Sequence, residues 1–158
     1  MVWGSMTAGG LKRMIVWDQS WGRITSAIYI QHIVVPCISP IFEDEKEYHG
    51  SPFYCMEDNA SPHSARATIA ARQEQLITPL PTGWPPASPD LNPIEEIWRR
   101  MKDYLYRLPE HPTTVRTMQE AVWAAWGFIS DDDCEQIVNT MPARIRAVYE
   151  ANGGHTMY

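Results

Sequence analysis

Two acidic residues stand where a fold could put them to chemical use. Asp58 closes an apolar run, Pro52-Phe53-Tyr54-Cys55-Met56, that reads as a buried strand stopping at Glu57-Asp58; α/β folds commonly carry functional groups at strand ends. Glu95 occupies the third helical position after Asn92, a good helix N-cap, with Pro93 suited to the first helical position. Carboxylates are the hard oxygen ligands that Mg²⁺ requires. Two divalent ions about 4 Å apart can activate a nucleophilic oxygen and stabilise a leaving oxygen in phosphodiester cleavage. Each residue has a structural use as well. Asp58 could form a turn and cap the next helix, and Glu95 fits the acidic end of a capping box and complements the positive helix terminus. Residue type and spacing alone leave both uses open.

The elements that must position these side chains follow from periodicity. Val2 to Thr7 and Leu11 to Trp17 are β-prone runs around Ala8-Gly9-Gly10 and predict an antiparallel hairpin. Thr25 to Val35 predicts a first helix, ended by Pro36, and Pro40 to Gly50, with Glu43-Asp44-Glu45, reads as a solvated acidic loop. After the strand ending at Asp58, Ala65 to Gln75 predicts an alanine-rich helix and Leu76-Ile77 a further short strand. Pro79, Pro81, Pro85, Pro86, Pro89 and Pro93 fix φ repeatedly and predict a stiff, extended loop.

A helix from Asn92 to about Tyr106 carries the apolar stripe Ile94, Ile97, Trp98, Met101, Tyr104 and Leu105. Advancing about 100° per residue, Glu95 lies at the stripe's border, where it can point toward Asp58, and Glu96 projects further round. Another helix is expected from Val115 to Trp126 after a Thr113-Thr114 cap, with Val115, Met118, Val122 and Trp126 on one face. Two shorter helices follow near Asp131 to Asn139 and Pro142 to Ala151. Asp131-Asp132-Asp133 after Ser130 reads as the acidic first turn of a helix rather than a metal site. Of the seven tryptophans, Trp98 belongs to the stripe and Trp84 is expected to be the more exposed.

A chain of 158 residues, 44% hydrophobic, fits one globular domain. Its formal net charge of -6 argues against a freestanding nucleic-acid binder, so a grip on DNA would have to come largely from elsewhere. Cys37, Cys55 and Cys134 lack zinc spacing and fit a reducing compartment. No apolar run is expected to approach the length of a membrane span, the start lacks the pattern of a signal peptide, and no membrane or small-molecule cofactor is expected.

Longer motifs decide between the two uses of the carboxylates. Met56-Glu57-Asp58-Asn59-Ala60 with His63 resembles the "QDNAxxH" segment of mariner-superfamily DDE transposases, and Ser88-Pro-Asp-Leu-Asn-Pro-Ile-Glu-Glu-Ile-Trp98 resembles their "SPDLNPIENLW". Val2-Trp3-Gly4 resembles the hairpin after the family's first catalytic strand, and Met141 to Val148 with Gly153-Gly154-His155-Thr156 resembles its C-terminal end. The resemblance implies an α/β, ribonuclease H-like fold with a helical C-terminal part. It implies a partial catalytic domain over 1–158, with the hairpin at 1–18, the core to about 107 and C-terminal helices over 113–152.

By the same resemblance Asp58 and Glu95 are the second and third metal-binding carboxylates, holding Mg²⁺ or Mn²⁺ for DNA strand cleavage and transfer in the nucleus. Asn59, His63, Arg99 and Lys102 are candidates for supporting Asp58 or touching DNA. The first acidic partner, the central strand that carries it and an N-terminal helix-turn-helix module are expected upstream of Met1, and Asp18, after the second hairpin strand, is a poor substitute. Without that strand the chain is expected to be inactive alone, less stable than an intact domain and prone to pair with a second copy. A second reading keeps the fold and drops the catalysis: a relic or domesticated interaction module that binds protein or DNA.

Overall fold

Strands β1 (Val2–Met6) and β2 (Lys12–Val16) form the expected hairpin, pairing Val2 with Val16 and Gly4 with Met14. Its turn is closed by Gly10 N–H to the Thr7 carbonyl at 3.1 Å, and Gly10 sits at φ 85°, in the region that glycine enters without a Cβ penalty. The computed structural model describes residues 1–10, 12–49 and 53–158, so Leu11 and part of the predicted strand before Asp58, Pro52, lie outside the described residues. The chain divides into two compact units, one made of 1–17 and 88–158 and the other of 18–87.

In the first unit, the hairpin joins α5 (Ile94–Tyr106), α6 (Val115–Gly127), α7 (Asp131–Val138) and α8 (Met141–Glu150). The core is Met14 from β2, Ile97 and Met101 from α5, Val122, Ala125 and Trp126 from α6, Ile129, and Cys134 and Ile137 from α7. Ile94, Trp98, Tyr104 and Leu105 pack against it, so the stripe expected on α5 is the one that is buried. On α6 only the C-terminal part of the expected face is buried. Val122, Ala125 and Trp126 are inside, whereas Val115 and Met118 are exposed because the core lies against the C-terminal half of the helix. Capping boxes at Thr114 with Thr117 and at Ser130 with Asp133 start α6 and α7, which assigns the Asp131-Asp132-Asp133 run to a helix start.

A buried arginine ties the end of this unit to the approach of α5. Arg144 of α8 donates to the Asp90 carbonyl at 2.7 Å and to Thr140 Oγ1 at 2.8 Å, and its guanidinium lies 4.9 Å from the Tyr158 ring centroid. Thr156 donates its hydroxyl to Asp90 Oδ2 at 3.0 Å. Asp90 belongs to a 3-10 turn, Pro89–Leu91, so the proline-rich loop is not extended throughout.

In the second unit, the sequence expectation of a helix ending at Pro36 and an acidic loop after it is overturned. Helix α1 (Ser26–Tyr29) runs into a π-helical stretch, Ile30–Ile38, and on into α2 (Ser39–His49). Proline offers no N–H and crowds the carbonyl of the preceding turn. The π register absorbs this, as the Ser39 N–H donating to the Val34 carbonyl shows. Continuation is rewarded by burial of Tyr29, Ile33, Val34, Cys37, Ile38, Ile41 and Phe42 on one side. Residues Ser26–Asp44 of this helix, 19 in number, are long and apolar enough to cross a membrane by length and composition alone. Burial of that apolar side within the unit is the arrangement of a core helix.

The predicted strand before Asp58 is reduced, among the described residues, to a single parallel bridge between Cys55 and Pro79. Cys55 donates to the Thr78 carbonyl at 2.7 Å and accepts from Leu80 N–H at 3.1 Å. Parallel pairing uses the residues flanking Pro79, so its missing N–H is not needed. The predicted Leu76-Ile77 strand is absent, for Leu76 turns at φ 54° and only Ile77 goes inward. Helices α3 (Ser61–Ser64) and α4 (Arg66–Glu74) follow Asp58, α4 close to its expected bounds.

Gly4 admits the indole rings of Trp98 and Trp126: a Cβ there would lie 2.6 Å from the Trp98 ring and 3.1 Å from that of Trp126. Gly4→Ala is expected to lose about 1–3 kcal/mol of stability, the range for overpacking a filled core. Urea unfolding followed by tryptophan fluorescence measures this; an unchanged midpoint would show that the rings move aside freely.

Candidate functional site

Asp58 sits in an exposed segment whose two ends are pinned. Its Oδ1 accepts the Ala60 N–H at 3.1 Å, which is the turn-forming use expected of an Asp before a helix, and also faces His63 Nδ1 at 2.7 Å. His63 Nδ1 lies 3.3 Å from the Asp58 carbonyl too, and the His63 ring packs on Tyr29 with centroids 4.6 Å apart. The Asp58 side chain remains 58% exposed, and among the described residues its Oδ2 has no partner. Structural and chemical uses are therefore compatible, because one carboxylate oxygen closes the turn and the other is left open.

Asn59, a candidate for supporting Asp58 or touching DNA, has its amide committed. It donates to the Trp84 carbonyl at 2.9 Å and holds the proline-rich loop beside Asp58. Trp84 is consequently half-buried rather than the exposed tryptophan; Trp123, at 50%, is the more exposed. Sequence reasoning passed over Glu57, Tyr29 and Arg72. Glu57 Oε2 lies 2.5 Å from Nη2 of the Arg72 guanidinium, its Oε1 accepts from the Tyr29 hydroxyl, and both side chains of the ion pair are nearly buried. Burial, with the Glu57 carboxylate alongside, pushes the Cys55 thiol up, so this cysteine stays protonated at neutral pH. The only sequence signal for the cluster is an acid inside an apolar run and an arginine on an alanine-rich helix.

In the other unit, Glu95 and Glu96 part ways. Asn92 caps α5 with its side-chain oxygen on the Ile94 N–H at 3.3 Å and its carbonyl on the Glu95 N–H at 3.1 Å. The reciprocal bond of a capping box is not made, since the Asn92 N–H goes to the Pro89 carbonyl at 2.9 Å. Glu95 is exposed and its carboxylate has no partner among the described residues.

Glu96 instead receives Arg99 at 2.7 Å and Arg100 at 3.0 Å, and the Arg99 guanidinium, with Arg100, holds its carboxyl down at about 2. Arg100 reaches on to Asp133 of α7 at 2.6 Å, where the Ser130 hydroxyl and N–H, together with Arg100, likewise hold the carboxyl at about 2. Arg99 also pairs with Asp103 at 2.7 Å, and Lys102 is exposed. Asp18 caps a 3-10 turn through Ser20, whose bonds lower its pKa.

Hard, outward-facing carboxylate oxygens at Asp58 and Glu95 suit a divalent ion. No group of three or more acidic, histidine or cysteine side chains that could hold a metal converges among the described residues. The two carboxylates belong to different units.

The fold has clear counterparts. The Mos1 transposase catalytic domain, in a structure with raltegravir and Mn, aligns with a TM-score of 0.78 at 16% identity, over 98% of this chain and 76% of that one. Its structure with Mg aligns at 0.77, and a further crystal structure of the Mos1 mariner domain at 0.71 with 19% identity. The fold is thus ribonuclease H-like, here with most of its residues in helices. A model of the DDE superfamily endonucleases matches residues 1–118, and the chain belongs to that family, as a mariner-type member.

Relatives in nematode transposable elements agree. The Tc3 transposase of Caenorhabditis elegans is 27% identical over 158 residues, covering all of this chain and 45% of that protein. The Tc1 transposase of the same species is 30% identical over 112 residues, 69% of this chain and 38% of that protein. The chain spans about half the length, or less, of these two relatives.

The Glu96–Arg100–Asp133 link makes a pH prediction. Both carboxyls are depressed in the folded state from ordinary values of 4.5 and 3.8 to about 2, so their contribution is present above about pH 4.5 and lost as pH falls toward 2. Arg100→Met is expected to lower stability at pH 7 by about 0.5–1 kcal/mol, typical of partly exposed pairs, and to remove only part of the loss between pH 5 and 2, because Arg99 still holds Glu96 and Ser130 still holds Asp133. Urea unfolding across that range would contradict this if the two proteins lost stability in parallel.

Proposed function

We propose that this chain supplies two of the metal-binding carboxylates, Asp58 and Glu95, to the catalytic site of a DNA transposase that cleaves and joins phosphodiester bonds. The observation that carries the reading is the family match over 1–118, which spans both residues, together with the outward exposure of both carboxylates. Mg²⁺ or Mn²⁺, named in the Mos1 structures, would supply activation of the attacking oxygen and stabilisation of the leaving oxygen. The chain's own part is to present hard donors at low cost. Asp58 keeps one oxygen in the turn and one open, Glu95 stays free, and Glu96 absorbs the arginines that would otherwise compete for its neighbour.

With a net charge of -6, this chain's own grip on DNA is weak. Lys102, exposed on α5, contacts a phosphate, and Arg99, spent on Glu96 and Asp103, contributes less. The protein acts in the nucleus, where its DNA substrate is.

Plasmid nicking with Mn²⁺ tests the assignment in a form extended N-terminally through the strand that the family resemblance puts before the hairpin. Asp58→Ala and Glu95→Ala are expected to reduce the rate about a thousandfold or more, equivalent to about 4 kcal/mol of barrier, and Glu96→Gln to change it by less than about threefold. Equal losses in all three variants would overturn the choice of Glu95. Full activity in Asp58→Ala would overturn the catalytic reading and favour a non-catalytic binding module.

A further inference from the structure

One face of α4 holds the segment that carries Asp58 at more than one point. Thr68, fully buried, donates its hydroxyl to the Pro62 carbonyl at 2.6 Å. Arg72, one turn further along the same face, donates to the His63 carbonyl at 2.9 Å, and the same nitrogen lies 2.5 Å from Glu57 Oε2. Arg72 therefore grips both ends of the stretch from Glu57 to His63, and Asp58 projects from between the two grips. Glu57 is held from its other side by the Tyr29 hydroxyl, and Tyr29 packs on the His63 ring that faces Asp58.

A guanidinium this enclosed is retained at a cost. The Arg72 side chain is only 12% exposed and, among the described residues, its buried Nε has no acceptor. An apolar side chain would fill the volume without that loss. What an apolar side chain could not do is join a carboxylate on one side of Asp58 to a backbone carbonyl on the other with directional hydrogen bonds.

We infer that Arg72 is a positioning residue for Asp58: by tying the Glu57 carboxylate to the His63 carbonyl it holds the Asp58 carboxylate preorganised toward a divalent cation. This deepens the proposed function and rests on Asp58 being a metal ligand. Residues that orient a ligand from behind typically change metal affinity by about 10-fold to 100-fold when lost.

The test uses the 158-residue chain, with Mn²⁺ as the probe, and compares Arg72→Met, Glu57→Met/Arg72→Met, Arg72→Lys and Asp58→Ala. The double variant removes the ion pair as a whole, which commonly leaves stability intact where the single change would strand a buried charge. Two readouts are taken on protein shown by circular dichroism to be folded: backbone NMR order parameters over residues 58–63, and broadening of the same amides during Mn²⁺ titration. In the double variant the order parameters are expected to fall from about 0.85 toward 0.6, and the Mn²⁺ affinity by about tenfold or more. Arg72→Lys is expected to restore part of both. Asp58→Ala is expected to abolish the broadening with the Arg72 contacts to Glu57 and His63 still in place.

A double variant with an ordered segment and unchanged Mn²⁺ affinity overturns the role of Arg72. Broadening that survives in Asp58→Ala overturns instead the reading of Asp58 as a ligand, and the two failures are told apart by which variant shows them.

Discussion

The ion pair between Glu57 and Arg72 is the constraint on which the Asp58 side of the molecule depends. A carboxylate destined for a cation has to be exposed, and exposed segments are usually mobile. Here the neighbouring residue turns inward and is anchored, so Asp58 can face water from a fixed backbone. The alternation is that of extended chain, in which successive side chains point to opposite sides. Glu57 goes into a pocket of Tyr29, Cys55 and Arg72, and Asp58 goes out.

Glu95 meets the same requirement by a different route. Its helix starts from a turn clamped by Arg144 and Thr156, and its apolar stripe is locked into the core through Ile97 and Met101. The adjacent Glu96 collects Arg99 and Arg100. Two neighbouring carboxylates with the same chemistry are thereby given different work, one neutralised in an ion-pair network and one left available. Position around the helix decides which is which.

Much of this was legible from side-chain periodicity. The stripe on α5 and the caps of α6 and α7 follow from the period of 3.6 residues and from capping chemistry, which are local properties. Where the outcome depended on partners distant in sequence, local rules went astray. Pro36 reads as a helix stop, yet the burial of Ile41 and Phe42 beyond it favours a π-helical passage. The run ending at Met56 has the composition of a strand, yet among the described residues it finds only the chain around Pro79 to pair with. Arg72 is 15 residues from Glu57, on a helix whose sequence announces no function; its role appears only when the helix packs. The family motifs pointed to Asp58 and Glu95 and said nothing of what holds them still.

The proposed role of Asp58 and of Glu95 as ligands for divalent ions can be checked with an Mn²⁺-soaked crystal and data collected at the manganese absorption edge. Anomalous-difference density is expected within coordination distance of the Asp58 carboxylate and of the Glu95 carboxylate, with Glu96 still paired to Arg99 and Arg100. Density at other acidic side chains, with Asp58 and Glu95 bare at saturating Mn²⁺, would contradict it.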